Sequence, residues 1–187
     1  MTYDPPSPPY LGPAAHTSEG SNKPIRRIVI HSTVSACVPG GARATAAYFR
    51  SEAARGSAHY VVDPAEVVQV VYDGVIAWHA PPNPNSLGVE LCDMPTTASK
   101  VRWRDDNHRR MLELAAQLVA QLCLAYGVPP RYRGPGALRQ GKHGITTHND
   151  VRLAFGQTDH WDPGAWPRRR FMRKVRRNVR KLRRNPQ

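Results

Sequence analysis

His31, His148 and Asp162 are the side chains best suited to hold a metal ion together. Two neutral imidazoles and one carboxylate fill three corners of a tetrahedral zinc site and leave the fourth to water. A zinc ion so held lowers the pKa of water to about 7 and polarises a carbonyl oxygen, which is what a hydrolase needs. Spacing alone does not select these three. The chain has eight histidines, and Asp159 competes with Asp162 as third ligand. Two further groups bear on chemistry. Glu90 lies between Val89 and Leu91, where a carboxylate is costly unless it is paired or poised to move a proton. His160 stands two residues before Asp162 and can polarise an oxygen when protonated or in the right tautomer.

The other histidines and aromatics have plainer readings beside functional ones. Trp78, His79 and His59 are candidates for substrate contact. His79, between Trp78 and Pro81, either lines a groove or caps a turn, and His59 in AHYVV is expected to pack beneath the site. His16, His108 and His143 read as solvated surface. Trp103, Trp161 and Trp166 either stack on a ligand or belong to the core.

Positioning these groups requires a sheet. Residues 25–32 (IRRIVIHS) form a β-branched, apolar run that reads as a buried strand ending at the first histidine. Functional side chains cluster at the carboxyl ends of such strands. Residues 42–55 are alanine-rich with helical spacing, residues 58–63 and 66–72 read as a hairpin around Asp63-Pro64-Ala65, and residues 87–92 are another strand. Residues 105–126 give the clearest helix, with Met111, Leu112, Ala115, Leu118, Val119, Leu122 and Tyr126 on one face and Gly127 as its stop. A Pro/Gly-rich basic loop over 128–144 leads to a short segment ending at His148. This order predicts an α/β fold, a mixed central sheet flanked by helices, in a single domain over residues 25–166.

The flanks differ in composition. Residues 1–24 are rich in Pro, Ser and Gly and read as a flexible arm. They hold no apolar run, so neither a secretory signal nor a membrane span is expected there, and the protein is expected in the cytoplasm where it is made. The chain has a formal net charge of +13, and residues 168–187 hold 11 of its 27 basic residues and no acidic one. A nearly neutral body thus carries a cationic tail. Phe171, Val175, Val179 and Leu182 recur at helical spacing in it, so the segment 167–187 could fold as a basic amphipathic helix and dock on an anionic polymer or a membrane surface. The body shows no base-reading motif, so no specific nucleic-acid partner is expected. Three cysteines without repeated spacing predict reduced, buried thiols, and nothing in the composition calls for more than a monomer.

Six short motifs occur in order: HST at His31, SAHY ending at Tyr60, AWHA around His79, LGVEL around Glu90, THND around His148, and TDHWDPG around Asp162. Together they resemble the type 2 N-acetylmuramoyl-L-alanine amidases, relatives of the peptidoglycan recognition proteins, and most of all the amidase domains of actinobacteriophage endolysins. The resemblance implies Zn2+ on His31, His148 and Asp162, Glu90 as the acidic residue that activates water, and His160 in the place of a lysine that steadies the oxyanion. It implies peptidoglycan as substrate and host lysis as purpose, with action on the wall after release from the host cytoplasm. A tyrosine that another branch places just before the SAHY-type histidine is here Ala58, which leaves the general-base task to Glu90.

Overall fold

The computed structural model describes residues 8–184. Its elements are β1 (Thr17–Ser18), β2 (Arg27–Ser32), α1 (Gly41–Phe49), β3 (Tyr60–Val62), β4 (Val67–Gln69), β5 (Ile76–Ala77), β6 (Ser86–Leu91), α2 (Asp106–Ala125), α3 (Pro135–Arg139), β7 (Gly144–Thr147), α4 (His148–Phe155) and α5 (Arg168–Arg184). Five strands make one mixed sheet in the order β4-β3-β6-β2-β7, and β1 pairs separately with β5. This is the mixed α/β architecture that the sequence predicts.

Within the sheet, β2 runs parallel to both β6 and β7, and β3 runs parallel to β6. Only β4 is antiparallel, as the return arm of the predicted hairpin. The carboxyl ends of β2, β6 and β7 therefore reach the same edge. Side chains alternate between the faces of a strand. Ile28, Ile30, Leu87, Val89 and Leu91 join the main core together with residues of α1, α2 and α5. The intervening positions, Val29 with Gly88 and His31 with Glu90, are register pairs on the opposite face.

The helices follow local chemistry. Asp105 caps α2 by accepting a 2.8 Å hydrogen bond from the His108 amide. The helix predicted over 42–55 breaks after Phe49, because the Ser51 hydroxyl donates to the Tyr48 carbonyl at 2.8 Å and so competes with the helical ladder. The predicted loop 128–144 contains α3, which starts on Pro135. Helix α4 begins where Thr147 accepts from the Asp150 amide at 3.2 Å and its hydroxyl donates to the Asp150 carboxylate at 2.8 Å.

Two expectations change. Residues 8–24 are not a loose arm. Leu11 donates its amide to Gln69 and Ala15 to Phe49, both at 2.8 Å, and the fully buried Asn22 donates to the Ser86 carbonyl at 2.7 Å. Prolines forbid helix but not an extended chain laid along a sheet. The expected flexibility of residues 1–7 falls outside the described residues. The tail is a helix, as its spacing predicts, but not an appendage. Phe171, Met172, Val175 and Val179 are buried in the main core, where α5 packs against α2. The apolar stripe is consumed by the fold, so it is not available for insertion into a membrane. No described helix is long and apolar enough to cross one.

Cys92 and Cys123 are buried as expected, whereas Cys37 is half-buried. Among the described residues Cys37, Cys92 and Cys123 are free, and burial pushes each thiol up to about 12, which keeps them unreactive.

Candidate active site

Strand register assembles the site. His31 on β2 is the register partner of Glu90 on β6, and Ile30 is that of Thr147, so His148 follows beside His31 on the other flank. Asp162 arrives from the loop after α4. Its carbonyl accepts from the Asn149 amide at 3.0 Å, and its Oδ2 accepts from the Ser32 amide at 3.1 Å. Two residues on, Gly164 (φ 63°) passes so close to the Thr96 backbone that a Cβ would sit 2.5 Å from the carbonyl oxygen. Only glycine lets that loop close, which explains the Asp-Pro-Gly step. His148 Nδ1 then lies 3.0 Å from Asp162 Oδ1 and His31 Nδ1 3.4 Å from Asp162 Oδ2. One potential ligand atom from each of the three residues lies within 4.8 Å of the others. Asp159, the competing candidate, is exposed and outside this group.

The surrounding hydrogen bonds decide which imidazole nitrogen faces inward. Ser86 Oγ donates to the Asn83 carbonyl at 2.5 Å, so toward His79 it can only accept. His79 Nε2, 3.0 Å away, therefore carries the hydrogen. Burial, then the charges of His31, His59 and His148, push the His79 pKa well below its ordinary value and keep the ring neutral. Its Nδ1 is thus an acceptor, and His31 Nε2 donates to it at 3.1 Å. That leaves the lone pair of His31 Nδ1 directed at Asp162. The relay has room because position 88 is glycine: a Cβ there would sit 2.8 Å from His79 Cγ. His148 Nε2 is likewise engaged, 3.3 Å from Thr158 Oγ1, which leaves Nδ1 for the centre. Two oriented nitrogens and a carboxylate form a donor set that fits zinc.

The carboxylates divide in character. Burial raises the Glu90 pKa well above the carboxylate range and nearby Asp162 raises it further; its Oε2 has no hydrogen-bond partner and Oε1 is 3.9 Å from His31 Nδ1. Burial alone would raise Asp162 too, but the imidazoles of His148 and His31 beside it outweigh this and hold it below the ordinary range. One carboxylate is thus kept ionised among imidazoles while its neighbour is prepared to carry a proton.

The sequence profile of the N-acetylmuramoyl-L-alanine amidases matches residues 21–165. The chain belongs to this family. It is an amidase, and peptidoglycan is its substrate class. No curated protein sequence matches it. Its fold is similar to that of the Staphylococcus aureus hydrolase AmiA, solved in complex with its ligand, at TM-score 0.70 and 19% identity over 94% of this chain and 84% of that one. It is also similar to a mutant endolysin from Bacillus subtilis, at TM-score 0.55 and 18% identity over 88% and 97%. The amidase LysC from Clostridium intestinale matches at TM-score 0.55 and 16% identity over 91% and 99%.

The amidase opens a cleft of about 1130 Å³ above the four site residues, with Val34, Tyr48, Trp78 and His160 among its walls. Trp78 is 43% exposed there; its Nε1 donates to Ser18 Oγ at 2.7 Å and its ring stacks on His16. His160 is exposed and stacks on His148, with ring centroids 5.1 Å apart and planes within 5°.

Of the three candidate substrate contacts, two have their ring nitrogens engaged by the protein itself, and His59 packs beneath the site as its plainer reading expects. His59 is fully buried: its Nδ1 accepts from the Gly88 amide at 3.0 Å, its Nε2 donates to the Val75 carbonyl at 3.0 Å, and burial lowers its pKa to about 4. His79 borders the cleft, but both of its nitrogens are engaged in the relay, so it has no hydrogen bond left for a ligand. Trp78 alone offers a free face. His108 is not solvated surface either, since it is buried between Asp93 (2.9 Å) and Asp105 (2.7 Å). His16 is partly buried beside Trp78, and His143 is exposed as expected. Trp103 and Trp166 belong to the core, whereas Trp161 is exposed. Ser86, Asn83 and Thr158 escape a reading of the sequence. Only Asn83, in a Pro-rich turn, carries a local signal.

Proposed function

We propose that this amidase is zinc-dependent and hydrolyses the amide between the lactyl group of N-acetylmuramic acid and L-alanine. The observation that carries the reading is the convergence of His31, His148 and Asp162 beside Glu90, a half-buried carboxylate whose buried Oε2 has no partner. Zinc on these three ligands supplies Lewis acidity, which favours attack by water and polarises the scissile carbonyl. Glu90 accepts the proton of the attacking water and returns it to the alanine nitrogen as the C–N bond breaks. His160 donates an N–H to the developing oxyanion from its position on the His148 ring. Trp78 supports the substrate at the rim of the cleft. A carboxylate on the muramic acid and a free alanine amine result.

The biological role we propose is that of a phage endolysin: a monomer made in the host cytoplasm that reaches the wall after another factor releases it and then lyses the host. The names of similar structures, which include endolysins, support this reading. A non-catalytic peptidoglycan-binding module would have no use for a carboxylate with an unpartnered buried oxygen beside a ligand set. A muropeptide-recycling enzyme would have no use for a cationic helix. The test is mass spectrometry of digested sacculi together with metal analysis of the protein. New L-alanine amino termini and one zinc per chain, lost in His148→Ala, are expected. New reducing sugar ends, or stoichiometric zinc in His148→Ala, would refute the assignment.

A further inference from the structure

Helix α5 carries far more charge than its place in the fold requires. It spans about 25 Å at 1.5 Å per residue, and nine of its 11 basic residues are exposed. Among the described residues only Lys174 and Arg177 have a carboxylate partner, and both use Glu113. The helix opens with Arg168, Arg169 and Arg170 and has no acid in its first turn, which is the charge order the helix dipole disfavours. Like charges three and four residues apart, such as Arg173, Arg176, Arg177 and Arg180, also oppose helix formation. Burial, then the charges of Arg109, Arg173 and Arg104, lower the Arg170 pKa. In that group only Arg109 has an acid partner, Asp106. The apolar face of α5 is what holds it to the domain. Beyond the pairs of Lys174 and Arg177 with Glu113, the contact of Arg170 with the Trp103 carbonyl and that of Arg168 with the Tyr132 ring, the described cations of α5 have no side-chain partner in the fold.

The charge also has a shape. At the N-terminal end of α5 a recess of about 690 Å³ is lined by Lys100, Arg168, Arg169 and Arg170, together with Asn149 and Gly164, neighbours in sequence of the site residues His148 and Asp162. The one carboxylate in its wall, Asp150, is engaged by Tyr132 and Thr147. At the other end Arg177, Arg180, Lys181 and Arg184 frame a second groove of about 490 Å³. A concave recess continued by a row of cations fits a flexible chain better than a plane. A bilayer cannot enter it, and the residues that could insert into one are buried. The exposed side chains of α5 include no aromatic ring to serve as a stacking platform for bases.

We propose that the solvent face of α5 and the recess at its start form a docking surface for an anionic wall polymer with phosphodiester repeats, which holds the amidase on its insoluble substrate. The proposal rests on the peptidoglycan reading for its biological sense, but polymer binding is measured without hydrolysis, so each can fail alone.

The test uses the full chain, a short poly(glycerol phosphate), vesicles containing phosphatidylglycerol, and a single-stranded oligonucleotide of equal charge. A triple variant, Arg176→Gln with Arg180→Gln and Arg184→Gln, removes exposed cations away from the cleft. Wild type should bind the polymer with an affinity that falls steeply as salt rises. The variant should bind it about tenfold or more weakly, with a salt dependence shallower by roughly one unit per lost contact. Its turnover of a soluble muropeptide should be unchanged. A second variant, Lys100→Gln with Arg169→Gln, should weaken binding without altering retention of the fold. Equal polymer affinity in wild type and both variants would overturn the proposal, as would tighter binding of the vesicle or the oligonucleotide than of the polymer.

Discussion

His31 and Glu90 are register partners on the adjacent parallel strands β2 and β6, and their side chains end 3.9 Å apart. The proposed metal ligand and the proposed base are thus spaced by the backbone ladder, not by a loop. Because β7 flanks β2 on its other side, His148 is fixed by the same sheet. Only Asp162 comes from irregular chain, and the backbone amides of Ser32 and Asn149 anchor it.

Glu90→Gln keeps the shape of the side chain and removes its proton affinity. Turnover of a soluble muropeptide should fall about 10²–10⁴-fold. Zinc content should stay at wild-type level, and thermal stability should hold or rise, since a half-buried carboxylate with one unpartnered oxygen is replaced by a neutral group. A near-wild-type rate would remove Glu90 from the chemistry.

The chain from His31 through His79 and Ser86 to the Asn83 carbonyl fixes which nitrogen of His31 is free. His79→Ala should therefore weaken zinc binding by about 10–100-fold, the usual cost of losing a partner behind a metal ligand. Ser86→Ala should act in the same direction and less strongly, because His79 loses its acceptor but keeps its packing against Gly88. Competition against a chelator reads both. Unchanged affinity in His79→Ala would show that the ligand is oriented by other means.

Much of this arrangement is legible in the sequence. The apolar run before His31 and the LGVEL segment read as strands, and the family resemblance singles out Asp162, in its Asp-Pro-Gly step, as the expected third ligand. What the sequence hides is tertiary. Glycine at position 88 matters only because His79 comes from a distant turn to lie on it. Neither His79 nor His59 has a ring nitrogen to offer a substrate, because backbone and side-chain partners from distant parts of the chain consume them. The start of α4 was available, since Thr147 and Asp150 have the spacing of a helix cap. The docking of α5 was half available: its stripe has the spacing of a helix, but no sequence feature distinguishes a stripe that meets α2 from one that meets lipid.

His108 bridges Asp93 and Asp105, and Asp93 also accepts from Arg102 Nε and Nη2, at 2.7 and 2.8 Å. Although burial opposes it, hydrogen bonding to the two aspartates raises the His108 pKa above 6.5, and Asp93 is held below 3.8 by Arg102 and His108 against its own burial. A raised histidine contributes stability that is complete below its unfolded value and disappears as pH rises through the folded one. A lowered aspartate contributes stability that is present above its unfolded value and is lost as pH falls through the folded one. The network is therefore strongest between these unfolded values. The unfolding free energy lost in His108→Gln should be larger at about pH 5.5 than at about pH 8.5. Denaturant titrations at both pH values check this, and a loss that is equal or grows with pH would contradict the charged bridge.

His160 stacks on the His148 ring but is exposed, which suits a group that meets substrate more than one that shapes the metal site. His160→Ala should lower the rate on soluble muropeptide while zinc affinity stays near that of wild type. Chelator competition separates the two effects: weakened zinc binding would make His160 a support of His148 and not a donor to the oxyanion.

The last expectation concerns what α5 gives to the fold. Phe171 and Val175 are fully buried against α2, and Met172 and Val179 nearly so. Phe171→Ala removes a large buried ring from a packed interface and should destabilise the protein by about 3–5 kcal/mol, in the range of such core truncations. Arg180→Gln, one of the exposed residues of the same helix, should change stability by no more than about 0.5 kcal/mol. A chain cut after Pro167 exposes the whole of the α2 face that α5 covers, so it should lose most of its stability and, with it, hydrolysis of even a soluble muropeptide. Urea denaturation of the three proteins, followed by activity on that substrate, decides the matter. If the shortened chain kept wild-type stability and activity, the packing of α5 would be incidental to the domain. The contrast between Phe171 and Arg180 then assigns the two faces of one helix to different tasks, one to holding the domain together and one to the surface it meets.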